Sequence, residues 1–581
     1  MKTIRRILCF AAAALAATGV RAVESYGITF EPSVTMTTRD GVTLRADIYR
    51  PKADGKFPVL LNRNPYNKYI YITDAIASAA RGYVFIIQDA RGRFSSDGDW
   101  YPFKFEAQDS YDAVEWAAAL PYSNGKVGMV GISYVAVPQL LAATAAPPHL
   151  AAIYPGLTAS DYHDNWIYQG GALCQAFSQG WSQFFAVNEV SRRAAKVPGP
   201  TPEEIKLPPT RHPILETFAT TNLVDYYHDW IAHPDLDDYW KQWSIEKHYD
   251  QIKVPALHLG AWYDIFMPGA LRNYAGIKAQ GGSEAARKGQ RLVVITGGHA
   301  GFGQKVGAVD FGPDSVFDVW AYGLRWFDWV LKGIDNGVAS EKPVRLFVMG
   351  RNVWRDEDDW PLARAKPTRY YLHSAGRANT AAGDGSLSVS APLTEPGDSF
   401  VFDPNDPTPT YGGVIGHPTG VGAGPQDQKE VESRADVLVY TSPAFATDTE
   451  ITGPIMLELC VSSTAVDTDF TGKVVDVWPN GFAQDLTEGI LRARYRESPE
   501  KAKLMKPGEV YKLTIDLGAT ANVFLAGHKL RVEVASSNFP RFSRNSNTGE
   551  NPETATVFQK ATNTVLHDRD HPSALVVPVL P

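Results

Sequence analysis

One short segment, residues 127–134, constrains the fold of this chain more than any other. Residues 127–130 are apolar or glycine, which predicts the end of a buried strand, and Gly131-Ile132-Ser133-Tyr134 then predicts a tight turn. The Ala- and Leu-rich run at 135–146 predicts a helix. A strand, a Gly-x-Ser turn and a helix in succession hold a serine hydroxyl above a parallel sheet. The usual second glycine is missing, because Val135 stands two residues after Ser133.

Strands and helices alternate on both sides of this turn, which predicts a parallel α/β sheet. Apolar runs predict further buried strands at 57–61, 83–89, 254–260 and 291–296. Helical spacing occurs at 75–80, 106–120 and 317–331. Alternating segments around Asp40-Gly41 predict an N-terminal hairpin. Between 157 and 249 the spacing of Trp, Tyr, Phe and His predicts helices, which we interpret as a cap inserted over the sheet.

The C-terminal part of the chain has a different pattern. From residue 341 onward, short strands separated by Pro- and Gly-containing turns predict a β-sandwich or jelly roll. Residues 374–434 are rich in Gly, Pro, Asp and Ser and predict a long ordered loop. With 581 residues the chain is too long for one ordinary core, so several domains are expected.

The N-terminus has the pattern of a secretory signal peptide. Lys2, Arg5 and Arg6 precede an apolar run at 7–17, and Ala22 provides a small residue before the expected cleavage site. The run is too short to span a bilayer, and no later stretch of the sequence is long and apolar enough to do so. We therefore expect a secreted or periplasmic protein.

Composition narrows the possible functions. The net charge of −8 and the lack of a Lys/Arg block argue against a nucleic-acid partner. After cleavage two cysteines remain, Cys174 and Cys460, whose spacing matches no disulfide framework or metal site, and we expect two separately buried thiols. Because no metal constellation or phosphate loop is found, no cofactor is expected. The oligomeric state is not readable from the sequence.

A nucleophilic serine needs a base, and the base needs a carboxylate to orient it. In α/β hydrolases the three residues follow different strands in the order Ser, Asp or Glu, then His. Ser133, Asp264 and His299 each follow a predicted strand in that order. The sequence therefore predicts these three residues as a catalytic triad.

Other histidines and aspartates fit this order less well. His258 lies within its predicted strand and is expected to pack in the core, and His163 of the cap precedes the carboxylate. Asp89 and Asp97 precede the serine and lie near the arginines at 91 and 93, so we expect structural ion pairs there.

Acyl transfer also needs hydrogen-bond donors for the oxyanion. The backbone N–H of Tyr134, the residue after the serine, is one candidate. A second donor normally comes from the loop after an early strand, here residues 62–68. This loop has no glycine-rich segment, but it contains Tyr66, whose phenol is a donor.

Eight short motifs occur in one order along the chain: Asn64-Pro65-Tyr66-Asn67-Lys68, Asp89-Ala90-Arg91-Gly92-Arg93, Gly131-Ile132-Ser133-Tyr134, Gly170-Gly171-Ala172-Leu173, Trp262-Tyr263-Asp264-Ile265-Phe266, Val348-Met349-Gly350, Asp467-Thr468-Asp469-Phe470 and Ser537-Asn538-Phe539-Pro540-Arg541-Phe542. Together they resemble the superfamily of serine hydrolases that contains cocaine esterase, X-Pro dipeptidyl-peptidase and α-amino-acid ester hydrolase. The resemblance covers the whole mature chain. It implies the triad Ser133, Asp264 and His299, with the hydroxyl of Tyr66 and the amide of Tyr134 as the oxyanion hole.

Residue patterns and resemblance imply the same fold class, α/β, with an α/β-hydrolase domain, an inserted helical cap and a C-terminal β jelly-roll domain. The expected boundaries are 1–22 for the signal peptide, 23–156 and 250–340 for the two parts of the hydrolase domain, 157–249 for the cap and 341–581 for the jelly roll.

The chain departs from the pattern of this superfamily at two places. Ala136 stands where a glycine is usual, three residues after the serine, and its methyl group is expected to tighten the helix packing. Thr296-Gly297-Gly298 precedes His299 where Pro-Trp is usual, so we expect a more mobile loop at the histidine. Neither change removes a reacting group.

The substrate pocket is expected between the sheet and the cap. Trp166, Phe266 and Trp181 are the candidate apolar walls, and the loop at 408–416 offers Tyr411 as a further aromatic. We expect a small-molecule ester substrate. An α-amino-acid ester hydrolase or acyltransferase, or an X-Pro dipeptidyl peptidase, remains the alternative. These need carboxylates to hold an ammonium group, for which the cap segment 161–166 offers two aspartates. A non-catalytic glycan-binding protein is the remote alternative, against which the Ser/Asp/His set argues.

Overall fold

The computed structural model describes residues 25–196, 224–299, 301–415 and 422–581, with side chains of 190–196 excepted. The expected signal peptide at 1–22 lies outside the described residues. In the described part of the chain, a ten-stranded mixed sheet forms the N-terminal half and an eleven-stranded network of strands forms the C-terminal half.

The strands of the N-terminal half are β1 Ile28–Thr37, β2 Thr43–Pro51, β3 Phe57–Asn64, β4 Val84–Asp89, β5 Ser123–Ile132, β6 Leu150–Gly156, β7 Tyr168–Gln169, β8 Ala172–Leu173, β9 Ala256–Tyr263, β10 Gln290–Gly298, β11 Lys305–Val306, β12 Val309–Asp310, β13 Val344–Val348 and β14 Val353–Glu357. The helices are α1 Ile72–Ala80, α2 Glu106–Ala119, α3 Val137–Ala145, α4 Gln175–Lys196, α5 Asp225–Ala232, α6 Asp238–Lys241, α7 Met267–Gln280, α8 Glu284–Lys288 and α9 Val319–Lys332.

The ten-stranded sheet has the order β1-β2-β4-β3-β5-β6-β9-β10-β13-β14. All pairs from β4 to β13 are parallel, and the antiparallel hairpins β1–β2 and β13–β14 lie at the two edges. The central strands are buried on both faces, as apolar runs in a parallel sheet require. Because parallel strands end at the same edge, the segments after β3, β5, β9 and β10 meet there.

Helix α9 illustrates how the sequence determines the helical layer. Its N-cap is Asp318, whose side chain accepts the backbone N–H of Ala321, and it ends at Gly333 in the left-handed region. Its apolar face packs on β5 at Gly128, where a Cβ would lie 2.9 Å from the ring of Phe327. Glycine in this strand therefore permits the close approach of the helix. The strands and helices predicted around the sheet are confirmed.

The expected domain boundary at 340/341 is wrong in one respect. β13 and β14 follow this boundary, but they belong to the first sheet: β13 pairs in parallel with β10, with Leu292 opposite Val344. The apolar run of β13 is typical of either domain, and only the pairing partner identifies its sheet. The expected long loop at 374–434 is also interrupted by two short strands, Ser386–Ser388 and Asp398–Phe402.

The C-terminal half is a β-rich domain. Its strands are β15 Lys366–His373, β16 Ser386–Ser388, β17 Asp398–Phe402, β18 Leu438–Thr441, β19 Thr449–Ser463, β20 Asp469–Val477, β21 Ala483–Arg492, β22 Tyr511–Phe524, β23 Lys529–Ala535, β24 Ala561–Leu566 and β25 Ala574–Val579. This domain contacts the residues beside the site: the phenol of Tyr263 donates to the carbonyl of Asp485 at 3.0 Å.

Two further observations concern the whole described chain. Cys174 and Cys460 are free thiols, as expected; Cys460 is buried, whereas Cys174 is only half-buried. None of the described helices combines the length and the apolar character that a membrane span requires.

Candidate active site

The turn after β5 is strained. The chain passes from Ile132 into a short 3₁₀ segment, Ser133–Ala136, which continues as α3. Ser133 has a φ of 65°, in the left-handed region that residues with side chains rarely adopt. A Cβ at Gly131, whose φ is 150°, would lie 2.2 Å from Cγ1 of Val135. The turn therefore requires glycine at 131, and Val135 occupies the space beside it.

Three side chains from three strand ends form one hydrogen-bonded chain. Nε2 of His299 lies 2.8 Å from Oγ of Ser133, and Nδ1 of the same ring lies 2.6 Å from Oδ2 of Asp264. Asp264 directly follows β9, and His299 directly follows its parallel neighbour β10. Oδ1 of Asp264 accepts the backbone N–H of Phe266 at 2.7 Å, so both carboxylate oxygens are held. In this geometry a histidine can take the proton of a serine hydroxyl while a carboxylate orients the ring.

Tyr134 presents its backbone N–H in the first turn after the serine, where N–H groups have no partner within the helix. Its side chain is fully buried. The phenol accepts the N–H of Phe103 at 2.9 Å and donates to Glu106 at 3.2 Å, and Glu106 pairs with the buried Arg63 at 2.9 Å. These contacts fix the residue whose amide is the first candidate oxyanion donor.

Tyr66 lies on the loop after β3, in contact with Ser133. The indole N–H of Trp181, in the cap, donates to the phenol oxygen of Tyr66 at 3.1 Å. Burial raises the pKa of Tyr66 to about 12, although hydrogen bonds with Trp181 and Ser133 and the charge of Arg93 act in the opposite direction. The phenol is therefore protonated at neutral pH and can act as a donor.

Two buried asparagines connect the strand of the serine to this loop. No role was predicted for either from the sequence. The amide of Asn62 donates to the carbonyl of Val130 at 3.0 Å, and the amide of Asn64 donates to Oδ1 of Asn62 at 3.0 Å. Oδ1 of Asn64 accepts the backbone N–H of Tyr66 at 3.0 Å. Their sequence signal was polar residues at the end of an apolar run, since a buried amide needs hydrogen-bond partners.

Asp89 and Asp97 have structural roles, but the expected partners are wrong. Asp97 pairs with Arg45 at 2.9 Å. The carboxylate of Asp89 accepts the backbone N–H of Lys68 at 2.9 Å, which fixes the end of the loop that carries Tyr66. The segment after β4 turns sharply, so that the hydroxyl of Ser95 also donates to Asp89, at 2.6 Å, whereas Asp97 meets the distant Arg45.

The three aromatic residues predicted as pocket walls lie beside the triad. Phe266 stacks on Trp166 with ring centroids 4.3 Å apart and meets the ring of His299 edge-on at 5.2 Å. Trp181 stacks on the ring of Tyr134 at 5.7 Å. The structure thus brings all eight predicted site residues together at one edge of the sheet.

A narrow cavity of about 10 Å³, enough for one water molecule, lies against Trp166 and Phe266. Phe177 and Ile415 also line it. Tyr411 was expected here, but it packs instead against a separate cluster of valines in the C-terminal domain. The aromatic walls are in close contact with one another: Trp166 lies 4.3 Å from Phe266 and 6.3 Å from Trp181 between ring centroids.

The two cap aspartates considered as ammonium ligands are committed to other contacts. Oδ1 of Asp161 accepts the backbone N–H groups of His163 and Asp164, at 2.9 and 3.1 Å. The carboxylate of Asp164 pairs with Arg272 at 2.7 Å.

The competing histidines His258 and His163 make structural contacts, which was the expectation for His258. His258 is buried within β9, its Nε2 lies 2.8 Å from Oε1 of Gln290, and burial lowers its pKa to about 4. His163 is buried in the cap, where its Nε2 donates to the carbonyl of Pro234 at 2.9 Å.

The two glycines before His299 are closely packed. They are the last residues of β10, and the N–H of Gly298 donates to the carbonyl of Gly301 at 3.1 Å. A Cβ on Gly297 would lie 2.2 Å from that carbonyl oxygen. Glycine thus stands where the chain reverses direction around His299. At the other departure, Ala136 is fully buried in the first turn after the serine.

No group of His, Cys, Asp and Glu side chains in the described part of the chain could hold a metal ion. The site provides a serine hydroxyl, a histidine with its orienting carboxylate, and nearby hydrogen-bond donors. Fold and site together define a serine hydrolase with an α/β-hydrolase core.

Comparison with known proteins identifies the family. Residues 40–301 match the X-Pro dipeptidyl-peptidase (S15 family) model, and residues 336–576 match the X-Pro dipeptidyl-peptidase C-terminal non-catalytic domain. The chain is 36% identical over 570 residues to a cocaine esterase of Rhodococcus sp. (strain MB1 Bresler), covering 94% of this chain and 98% of that protein. The chain thus belongs to the S15 family, which confirms the resemblance inferred from its motifs.

Two other relatives are more distant. A putative serine esterase of Mycobacterium bovis is 25% identical over 597 residues, covering 88% of this chain and 91% of that protein. A solved α-amino acid ester hydrolase has a TM-score of 0.80 at 23% identity, with 98% of this chain and 100% of that chain covered. The second likeness concerns the fold, including the N-terminal α/β-hydrolase domain and the C-terminal β-rich domain.

Proposed function

We propose that this protein hydrolyses carboxylic esters through an acyl-enzyme formed on Ser133. His299 takes the proton of the serine hydroxyl as Oγ attacks the ester carbonyl, and Asp264 orients the ring and stabilises the imidazolium. The phenol of Tyr66 and the amide of Tyr134 donate hydrogen bonds to the oxyanion. His299 then protonates the departing alcohol. Water, deprotonated by the same ring, attacks the acyl-enzyme and releases the acid.

The observation that carries this proposal is the hydrogen-bonded chain from Ser133 through His299 to Asp264, with distances of 2.8 and 2.6 Å. The strained backbone of Ser133 supports it, because strain of this kind occurs where a fold presents a reactive group. The esterase name of the relative that is 36% identical agrees with it.

The surroundings favour a neutral ester with a flat or aromatic acyl group. Trp166, Phe266 and Trp181 surround the proposed acyl site with aromatic faces. Recognition of an α-ammonium group would need a carboxylate, and the two cap candidates, Asp161 and Asp164, already hold backbone amides and an arginine. Hydrolysis of α-amino-acid esters or X-Pro peptides is therefore the second choice.

The first test is hydrolysis of aryl esters with short acyl chains. We expect activity in the wild type, loss of activity in Ser133→Ala, and covalent labelling of Ser133 by a fluorophosphonate. A fluorophosphonate adduct on another residue, or equal activity of both proteins, would contradict the proposed nucleophile.

The second test separates the two substrate classes. We expect phenyl acetate to be hydrolysed with a higher kcat/KM than phenylglycine methyl ester. Asp164→Asn is the matched variant: if a carboxylate bound the ammonium group, only the amino ester would lose activity. A strong preference of the wild type for the free amine would reverse the choice between the two classes.

We also propose that the protein is exported. The basic start, the apolar run at 7–17 and Ala22 support this proposal. Expression of the full chain in a Gram-negative host should give a periplasmic protein whose N-terminus is Val23. Recovery of the intact N-terminus in the cytoplasm would contradict it.

A further inference from the structure

The loop that carries Tyr66 is held from outside the site by Arg93. This arginine is 3% exposed, and its Nε donates to the carbonyl of Pro65 at 3.0 Å. That carbonyl belongs to the peptide bond that joins Pro65 to Tyr66. The N–H of the same peptide bond is held by Asn64, so both of its polar groups are fixed by side chains. The orientation of this peptide plane, which positions the phenol, is therefore fixed by two side chains.

Aromatic packing extends this contact to the ring of Tyr66. The guanidinium of Arg93 lies over the ring of Phe185 at 4.7 Å and over the ring of Trp100 at 5.2 Å. Phe185 packs on Tyr66 with ring centroids 5.6 Å apart. A planar guanidinium that stacks on aromatic faces is held in one orientation, which a flexible lysine would not match. Arg93 thus supports both the backbone and the ring of Tyr66.

The charge of Arg93 also acts on this phenol. It lowers the pKa of Tyr66, against the larger effect of burial, and it acts in the same direction on Tyr226. A hydroxyl near a positive charge is a stronger hydrogen-bond donor, because the charge stabilises the negative charge that develops on the phenol oxygen as its proton is shared with an anion. The effect is useful only when negative charge develops opposite Tyr66.

We propose that Arg93 is a positioning residue of the oxyanion hole, which acts through Pro65 and Phe185 to hold the phenol of Tyr66 against Ser133. The proposal rests on the proposed function, since Tyr66 meets an oxyanion only if Ser133 is the nucleophile. Arg93 lies outside the triad and does not touch the reacting atoms.

A purely structural role for Arg93 makes a different prediction from a role through Tyr66. If Arg93 only stabilises the fold, its removal lowers activity by the same factor whether or not the phenol hydroxyl is present. If it acts through Tyr66, its removal matters only while the hydroxyl is there. A double-mutant cycle measures this difference directly.

The cycle uses Arg93→Met, Tyr66→Phe and the double variant, with an aryl ester as substrate. We expect Tyr66→Phe to lower kcat by about 100-fold, the usual loss for one oxyanion donor. Arg93→Met should lower kcat by about 10-fold with KM changed less than about 2-fold. In the Tyr66→Phe background the same change should cost less than about 2-fold. Equal factors in both backgrounds would overturn the proposal.

Arg93→Lys is the second variant, and it decides the matter if the methionine variant does not fold. Lysine keeps the charge but loses the planar fork, so we expect a loss of about 3-fold in kcat in the wild type and none in the Tyr66→Phe background. The same 3-fold loss in both backgrounds would contradict a role through Tyr66.

Inhibition by phenylboronic acid gives an independent readout. Its tetrahedral adduct with a serine places an oxygen in the oxyanion hole, so a positioning defect should raise Ki by about the same 10-fold factor as it lowers kcat. The KM for the ester substrate should stay nearly unchanged. An unchanged Ki in Arg93→Met would count against the proposal.

Arg91→Met is the matched control from the same loop. Arg91 is also buried, but its guanidinium pairs with Asp109 at 2.6 Å and with Asp40 at 2.8 Å. Its loss should lower stability, and any loss of kcat should be the same with and without the Tyr66 hydroxyl.

The outcomes also separate the two proposals. An active Ser133→Ala protein contradicts the proposed function, whereas an inactive one with additive Arg93 and Tyr66 effects contradicts only this inference.

Discussion

The indole nitrogen of Trp181 lies 3.1 Å from the phenol oxygen of Tyr66, and this hydrogen bond joins the cap to the loop that faces Ser133. Since the indole N–H donates, the phenol keeps its own proton for another acceptor. In the proposed reaction that acceptor is the oxyanion. Helix α4, which carries Trp181, thus helps to orient a proposed oxyanion donor.

Trp181→Phe should lower kcat and leave the fold intact. An aromatic ring remains, although phenyl is smaller than indole. One hydrogen bond worth about 0.5–1.5 kcal/mol is lost, which corresponds to a decrease in kcat of about 2- to 12-fold. Steady-state kinetics with an aryl ester measures this change. Trp100→Phe is the control, because the indole nitrogen of Trp100 has no hydrogen-bond partner among the described residues. Equal losses in the two variants would show that ring size, and not the hydrogen bond, matters.

Asp264→Asn should remove most of the activity without removing the fold. An amide in place of Oδ2 would present N–H to Nδ1 of His299, which favours the tautomer with the proton on Nε2. That ring cannot take the proton of Ser133. We expect kcat to fall by about 10⁴-fold, as in other hydrolases with this arrangement, with a Tm close to that of the wild type. A loss of less than about 10-fold would exclude Asp264 from the triad.

In the turn that carries Ser133, activity is expected to depend on Gly131 and Val135 together. Gly131→Ala should abolish activity, because the new Cβ would collide with Val135 and the φ of 150° is strained for alanine. Gly131→Ala combined with Val135→Gly should recover part of the activity, since the collision is removed and the strain remains. Kinetics and thermal unfolding of the three variants check this. No recovery in the double variant would show that strain alone prevents the turn.

The sequence was sufficient to predict that Ser133, Asp264 and His299 come together, because their order along the chain and their positions after strands are local properties. Ser133, Asp264 and His299 each follow an apolar run by one residue, and parallel strands bring such positions to one edge. Trp166, Trp181 and Phe266 were predicted as apolar walls from their residue types and their places in the chain. Their contacts with one another and with the rings of His299 and Tyr134 depend on long-range packing.

Other features needed the structure because they depend on long-range pairing. Nothing in the apolar run of β13 shows that it pairs with β10 and not with the C-terminal strands. The partners of Asp97 and Arg93 follow from a sharp turn after β4, which places residues distant in sequence beside them. Tyr411 and Ile415 lie on one loop, and only its three-dimensional course decides which residue faces the pocket.

A buried histidine in the C-terminal domain leads to a prediction about pH. Nε2 of His567 lies 2.8 Å from Oδ2 of Asp398, and Nδ1 lies 3.2 Å from Oε2 of Glu395. Burial opposes the charge of His567, but its contacts with the two carboxylates outweigh burial and raise its pKa above 6.5. For Asp398, burial is outweighed by hydrogen bonds with His567 and others, which lower its pKa below 3.8.

These two shifts have opposite consequences for stability. The raised pKa of His567 contributes stability that is fully present below pH 6.5 and is lost as the pH rises through the folded-state value. The lowered pKa of Asp398 contributes stability that is present above pH 3.8 and is lost as the pH falls through its folded-state value. The pair therefore stabilises the domain most between these two limits.

His567→Gln should consequently destabilise the protein more at pH 5.5 than at pH 9. We expect a loss of about 3–5 kcal/mol in the free energy of unfolding at pH 5.5, because the variant leaves Asp398 buried without its cationic partner. At pH 9 the loss should be smaller, by about 1.4 kcal/mol for each unit by which the folded-state pKa of His567 exceeds its ordinary value. Urea unfolding at both pH values measures the difference.

His571→Gln is the control, since its ring is partly exposed and its pair with Asp568 lies at the surface, where such pairs contribute about 0–1 kcal/mol. A loss in His567→Gln that does not change with pH would show that its packing, and not its charge, stabilises the domain.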